Sequence, residues 1–208
     1  MQNLTQILAA YPSVLVLDAA SEVVQVGWLR ADAAPTWVES RETAGIGVFR
    51  AIQALNLPLF GVKAFIFCEG PGSILGIRTV AMAIRTWQAD ASRPAFAYSS
   101  LALASVASGR PGLSVIADAR RAHWHHYQPE TGLTRVPAEA LGESLATPDG
   151  FKAWSPRPPG VLSVPYSVKD ALAAHPEYPF FRETEAPDAF LHEEPAYAGW
   201  TPQIHKAP

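Results

Sequence analysis

The sequence predicts an α/β protein with helices packed on a mixed sheet, followed by a smaller, loop-rich lobe. Three observations predict it. Residues 13–19 and 62–68 are short apolar runs rich in β-formers, as strands covered on both faces are. Residues 22–30 set Val24, Val26 and Trp28 against Gln25, Gly27 and Leu29, and the short link before them implies a hairpin. The second apolar run ends in Gly70-Pro71-Gly72-Ser73 and opens an amphipathic helix. Meandering strands followed by helix-linked strands call for antiparallel and parallel pairing in one sheet.

Taken in order, residues 1–12 form a short helix or lead segment, and strands cover 13–19, 22–30 and 36–42. A helix over 44–55 follows, with Ile46, Phe49, Ala51, Ile52 and Leu55 at its apolar positions. After the strand at 62–68, Pro71 fixes its own φ while Gly70 and Gly72 accept positive φ, so the chain turns sharply. Ser73 is a good N-cap for the helix over 74–89, where Ile77, Val80, Ala81, Ile84 and Gln88 share a face. A strand at 95–98 and a helix to 108, capped by Ser99 or Ser100, complete a first lobe over residues 1–110. The second lobe, 111–208, has strands at 113–119, 122–128 and 133–136, a short helix at 137–141, and a strand at 161–164. It adds helices at 167–174, capped by Ser167, and at 187–194, then a tail from 197.

Composition narrows the function classes. The 208 residues are 49% hydrophobic and 17% charged, which is globular and not disordered. A net charge of −3 with scattered basic residues argues against a large basic face gripping nucleic acid. The lone Cys68 excludes an internal disulfide and a cysteine-cluster metal site, and fits a reducing cytoplasm. No run reaches membrane-spanning length, and no basic n-region opens the chain, so a cytoplasmic protein is expected.

The candidate chemical groups are few. Gly70 to Ser73 at a helix N-terminus is either an anion-binding turn or only a tight turn. Asp18 ends the first strand and reads as a turn cap. Asp118, Arg120 and Arg121 bring opposite charges to one hairpin, where they form either a structural pair, the preferred reading, or an anion site. His123 and His125 share a strand face and His126 opposes them, a set too small for a zinc site, so no metal is expected. Ser73 lacks the flanking of a nucleophile elbow, and Cys68 ends a buried strand, so no protease is expected. The helices over 44–55 and 74–89 carry apolar residues on more than one face. That pattern fits either a second binding surface, reached by Phe49, Ile52, Val80, Ala81, Ile84 and Trp87, or a fully covered core helix.

Gly70-Pro71-Gly72-Ser73-x-x-Gly76-x-Arg78 resembles the Gly-Pro-Gly-Ser-Phe-Thr-Gly-Leu-Arg signature of the TsaB (YeaZ) family. Residues 14–21 look like that family's opening strand, and residues 115–121 like its Asp-Ala-Arg-Arg segment. The resemblance covers about residues 13–141. It implies the mixed sheet repeated in the actin, heat-shock chaperone and sugar-kinase superfamily, a ribonuclease H-like fold with a degenerate second copy. It also implies a non-catalytic subunit of bacterial tRNA threonylcarbamoyladenosine synthesis. Such a protein docks its helix pair on a TsaD-like catalytic subunit or on a second copy of itself, with a TsaE-like ATPase as a further candidate partner. It needs no cofactor and binds no tRNA directly. For Asp118, Arg120 and Arg121 the resemblance implies a role in shaping the junction between the lobes. In the kinase relatives an aspartate at the place of Asp18 helps hold a metal–nucleotide complex. The alternatives are an ATP-dependent kinase or acyltransferase of that superfamily using Asp18 and the glycine turn, or a homodimeric module with another partner.

The chain departs from the pattern at several points. Ile74-Leu75 replaces Phe-Thr, and Cys68-Glu69 replaces Gly-Arg, reversing a charge at the turn. Residues 43–47 replace the His-Ser opening of the first helix, and Ala122 replaces a glycine. The usual ending survives only as Pro195-Ala196-Tyr197.

Overall fold

Both faces of the first strand are apolar, and both are covered. In β1 (Ser13–Asp18), Val14 and Val16 point one way and Leu15 and Leu17 the other, and all four are fully buried. The computed structural model describes residues 1–190. β1 pairs antiparallel with β2 (Val24–Arg30), which pairs antiparallel with β3 (Ala33–Ser40). On its other edge β1 is parallel to β4 (Ala64–Gly70), which is parallel to β5 (Ala95–Ser99). The short β11 (Arg182–Thr184) closes that edge antiparallel to β5, giving the order β11-β5-β4-β1-β2-β3.

Helices α2 (Ala44–Ala54) and α3 (Ile74–Asp90) cover one face. Val48, Ala51, Val80 and Ile84 pack there on Leu15, Leu17, Val26, Phe65 and Phe67. The opposite face joins α1 (Leu4–Ala10), α4 (Ser100–Ser108) and α5 (Val168–Ala174) in one cluster that includes Ile7, Val16, Ile66, Phe96, Leu101 and Leu172. The predicted caps form: the Ser73, Ser99 and Ser167 side chains accept from the amides of Gly76, Ala102 and Asp170. Gln25, expected on a polar face, is buried instead. Its amide group accepts from Val168 N at 2.8 Å and donates to the Tyr166 carbonyl at 3.3 Å.

The second sheet repeats the plan. β6 (Ser114–Asp118), β7 (His123–Gln128) and β8 (Gly132–Pro137) form an antiparallel meander. β9 (Leu145–Pro148) lies parallel to β6, and β10 (Leu162–Val164) parallel to β9. The order β10-β9-β6-β7-β8 mirrors β5-β4-β1-β2-β3. The helices have eroded in this copy. A single 3₁₀ turn, Ala138–Ala140, replaces α2, and the proline-rich stretch 149–161 replaces α3. Only α5 keeps its place, beside α4. α4 itself lies between the sheets, against β4, β5, β6, β7 and β8.

The second lobe is also where the expected elements and the structure differ. β9 was not expected, because four residues ending in proline carry no periodic signal. β11 was not expected either: Arg182-Glu183 reads as a loop, and only the free edge of β5 makes it a strand. The expected helix over 187–194 does not form across 187–190, and 191–194 lie outside the described residues. No helix among the described residues is long and apolar enough to cross a membrane.

Candidate docking surface

A helix lying on a sheet buries one stripe, and in α3 that stripe is Ile77, Val80, Ala81 and Ile84. The outward stripe is Leu75, Arg78, Thr79, Met82 and Thr86. It faces α2 across an open groove of about 450 Å³, closed on the far side by Phe49 and at one end by Trp87. The apolar members are strongly exposed: Leu75 at 77%, Met82 at 56% and Phe49 at 45%, with Ile46 at 49% one turn from Phe49. An apolar cluster this open on adjacent helices is a candidate docking surface.

Of the residues expected at the interface, Phe49 and Trp87 line this groove. Ile52 is half-buried against the core. Val80, Ala81 and Ile84 are not on the surface: they are buried against the protein's own sheet. A helix apolar on two sides does not reveal which side meets the sheet. The signal that finds the groove is the second stripe, Leu75 and Met82 at i and i+7, with the small Thr79 between them and Thr86 one turn beyond also lining it.

The glycine turn is filled by its own chain. The Ala20 carbonyl accepts from Ser73 N at 2.8 Å, and the Ser73 hydroxyl takes the Gly76 amide. A Cβ on Gly76 would fall 2.1 Å from the Ala19 carbonyl oxygen, and one on Gly72 2.5 Å from that of Ala20, so both positions need glycine for close approach. The Pro71 carbonyl accepts from Ser100 Oγ. Glu69 beside the turn is paired to Arg182 at 2.6 Å.

Asp18 is fully buried. Its carboxylate accepts from the Tyr98 hydroxyl at 2.6 Å, the Tyr166 hydroxyl at 2.7 Å and the Ala20 amide at 2.9 Å. Burial raises its pKa against the pull of these hydrogen bonds. Burial first, and then the Asp18 charge, hold the Cys68 thiol and both tyrosines well above their usual values, so all three stay neutral. A buried neutral thiol is a poor nucleophile.

Asp118 does not pair with the arginine side chains. Its carboxylate accepts the backbone amides of Arg120 at 2.6 Å and of Trp154 and Ser155 at 2.5 Å each. Partial burial raises its pKa, but the amides of Ser155, Arg120 and Trp154 outweigh that and hold it below the usual carboxylate range. It thus ties β6 to the segment after β9, inside the second lobe. The tie across to the first lobe lies nearby, where Glu22 N donates to the Gly150 carbonyl at 2.9 Å. His123 Nδ1 sits 2.8 Å from the Arg121 carbonyl. Among the described residues no three metal-ligating side chains converge.

Two lobes with one strand order, the first carrying more helices than the second, make an actin-like fold. Within it, the chain folds like YeaZ from Pseudomonas aeruginosa, with 20% sequence identity, coverage of 78% of this chain and 90% of that one, and a TM-score of 0.57. It folds equally like an uncharacterized protein with similarity to peptidase YeaZ, also from Pseudomonas aeruginosa. There the identity is 20%, the coverage 85% and 96%, and the TM-score 0.58. No protein-family model matches the sequence, and neither does any curated protein.

Proposed function

We propose that this chain is a TsaB-like scaffold that binds a TsaD-like catalytic subunit in the synthesis of threonylcarbamoyladenosine in tRNA. The observation that carries this reading is the exposed apolar groove between α2 and α3. Its occupant is an apolar helix face with a carboxylate placed for Arg78, which lines the same groove. The same face suits a second copy of the chain, so the protein is a homodimer when alone. A TsaE-like ATPase joins the pair, and the complex works in the cytoplasm. The reading as a kinase or acyltransferase is the weaker one, because Asp18 and the glycine turn are both engaged by neighbouring groups of this chain.

Leu75→Glu and Met82→Glu test the proposal. Both side chains are exposed, so the melting temperature should stay that of the parent. Titration calorimetry against the TsaD-like protein of the same cell should show binding by the parent. Each variant should lose about 2 kcal/mol, roughly 30-fold, as central interface residues do. A parent that does not bind, or variants that bind as the parent does, would sink the proposal. Sedimentation of the chain alone should show the same variants turning the dimer into monomer.

A further inference from the structure

Trp154 stands out among the described tryptophans. Trp124 is buried and Trp28, Trp37 and Trp87 are half-covered, but Trp154 is 71% exposed. It is not loose. Its amide and that of Ser155 are fixed on Asp118, an ionised carboxylate that also fixes the amide of Arg120. One anchor therefore positions both an indole and an arginine, and the Arg120 guanidinium lies over the Trp154 ring, 5.2 Å from its centroid. Arg120, Arg121 and Ala122 all have positive φ (64°, 52° and 58°), so the hairpin tip carries two adjacent exposed arginines. Arg157, three residues beyond Trp154, is exposed too. Among the described residues, no ion pair engages Arg120, Arg121 or Arg157, and the nearby Glu22 pairs with Lys152 at 4.0 Å.

We propose that Trp154 and Arg120 form a stacking platform for an unpaired nucleobase, with Arg121 and Arg157 taking the flanking phosphates, so that this hairpin binds single-stranded RNA. An open indole face accepts any base, and guanidinium groups meet phosphates with paired hydrogen bonds. The choice of RNA over DNA rests on the proposed role in tRNA modification; the platform itself does not. The low overall charge speaks against a large basic face, not against a small anchored one, and this hairpin is where the chain would depart from the expectation that such a subunit binds no tRNA directly.

The test is fluorescence anisotropy of a labelled single-stranded oligoribonucleotide with the full chain alone. Binding should saturate and weaken with salt. Trp154→Ala should weaken it about 5-fold or more, and Trp154→Phe should restore most of the loss, since stacking needs only a ring. Arg121→Gln should lower the slope of log affinity against log salt by about 0.7, the share of one phosphate on a single strand. All three variants should keep the parent's melting temperature and its affinity for the TsaD-like subunit. That second readout separates this proposal from the docking one, because Leu75→Glu should weaken docking roughly 30-fold and leave RNA binding intact. Absence of RNA binding, equal binding by Trp154→Ala, or binding instead to phosphatidylserine-containing vesicles would overturn it. So would an acidic peptide held as tightly as RNA.

Discussion

A carboxyl with no exposed surface, held by two tyrosine hydroxyls and one amide, resists ionisation in spite of those partners. For Asp18 the folded pKa is raised above the ordinary 3.8, chiefly by burial. The fold therefore holds a proton there at pH values where the unfolded chain has lost it. The group's contribution to stability is fullest below that ordinary value and declines as pH rises through the folded one. Asp18→Asn removes the ionisation and keeps the contacts: the amide carbonyl can accept from Ala20 N while the two N–H groups face the oxygens of Tyr98 and Tyr166. Denaturant unfolding at a series of pH values should show Asp18→Asn at least as stable as the parent at neutral pH, with the decline flattened. Curves that run parallel would refute the raised pKa. Tyr166→Phe removes one hydrogen bond to the Asp18 carboxyl and should cost about 1 kcal/mol or more. Because Asp18 and Tyr166 share one network, its cost measured on Asp18→Asn should differ from its cost on the parent, and equal costs would show that the two do not couple.

The helix α3 packs on the sheet through its side chains, but its first turn is set by a backbone contact. Gly76 lets its first turn rest on the Ala19 carbonyl, so Gly76→Ala overpacks against rigid backbone and should cost about 1–3 kcal/mol. It should also weaken docking, because Leu75 and Met82 move with the helix. Gly45 in α2 is the control: nothing lies within 4 Å of a Cβ there. Gly45→Ala should leave docking unchanged and raise the melting temperature slightly, through helix propensity worth up to about 1 kcal/mol. Legibility follows the same division. The glycine spacing and the Ser73 cap can be read from the sequence because each is a local rule, whereas Ile77, Val80, Ala81 and Ile84 show there only as an apolar face whose inward direction is not written locally. The docking stripe can be read only in part. Leu75 and Met82 are visible as apolar residues, but which side of α3 meets the sheet depends on where the Ala19–Ala20 turn lies, a tertiary fact. Trp154 and Arg120 are 34 positions apart, and only the parallel pairing of β6 with β9 brings the post-β9 segment to the β6 hairpin.

Two sheets with one strand order invite the expectation of two independent lobes, meeting near residue 110. The packing argues for a single cooperative unit. One apolar cluster takes Val16, Ile66 and Phe96 from the first sheet, Val115 and Ala117 from the second, and Leu101, Leu103 and Ala104 from α4 between them. The chain then returns: Phe181 bridges Gln2, β11 extends the first sheet, and Glu69 pairs with Arg182. Neither lobe keeps a complete core without α4, and among the described residues no α-helix stands in the second lobe where α2 and α3 stand in the first. Denaturation followed by tryptophan fluorescence and by far-ultraviolet circular dichroism should therefore give one coincident transition. Phe181→Ala makes the stricter test. Its ring is fully buried, edge-on to Tyr98 at 6.1 Å, so truncation should cost about 3–5 kcal/mol. If the lobes fold as one, that loss lowers the whole transition, including the signal of Trp124 in the second sheet. If they fold apart, Trp124 should report an unshifted second transition, and the single-unit account fails.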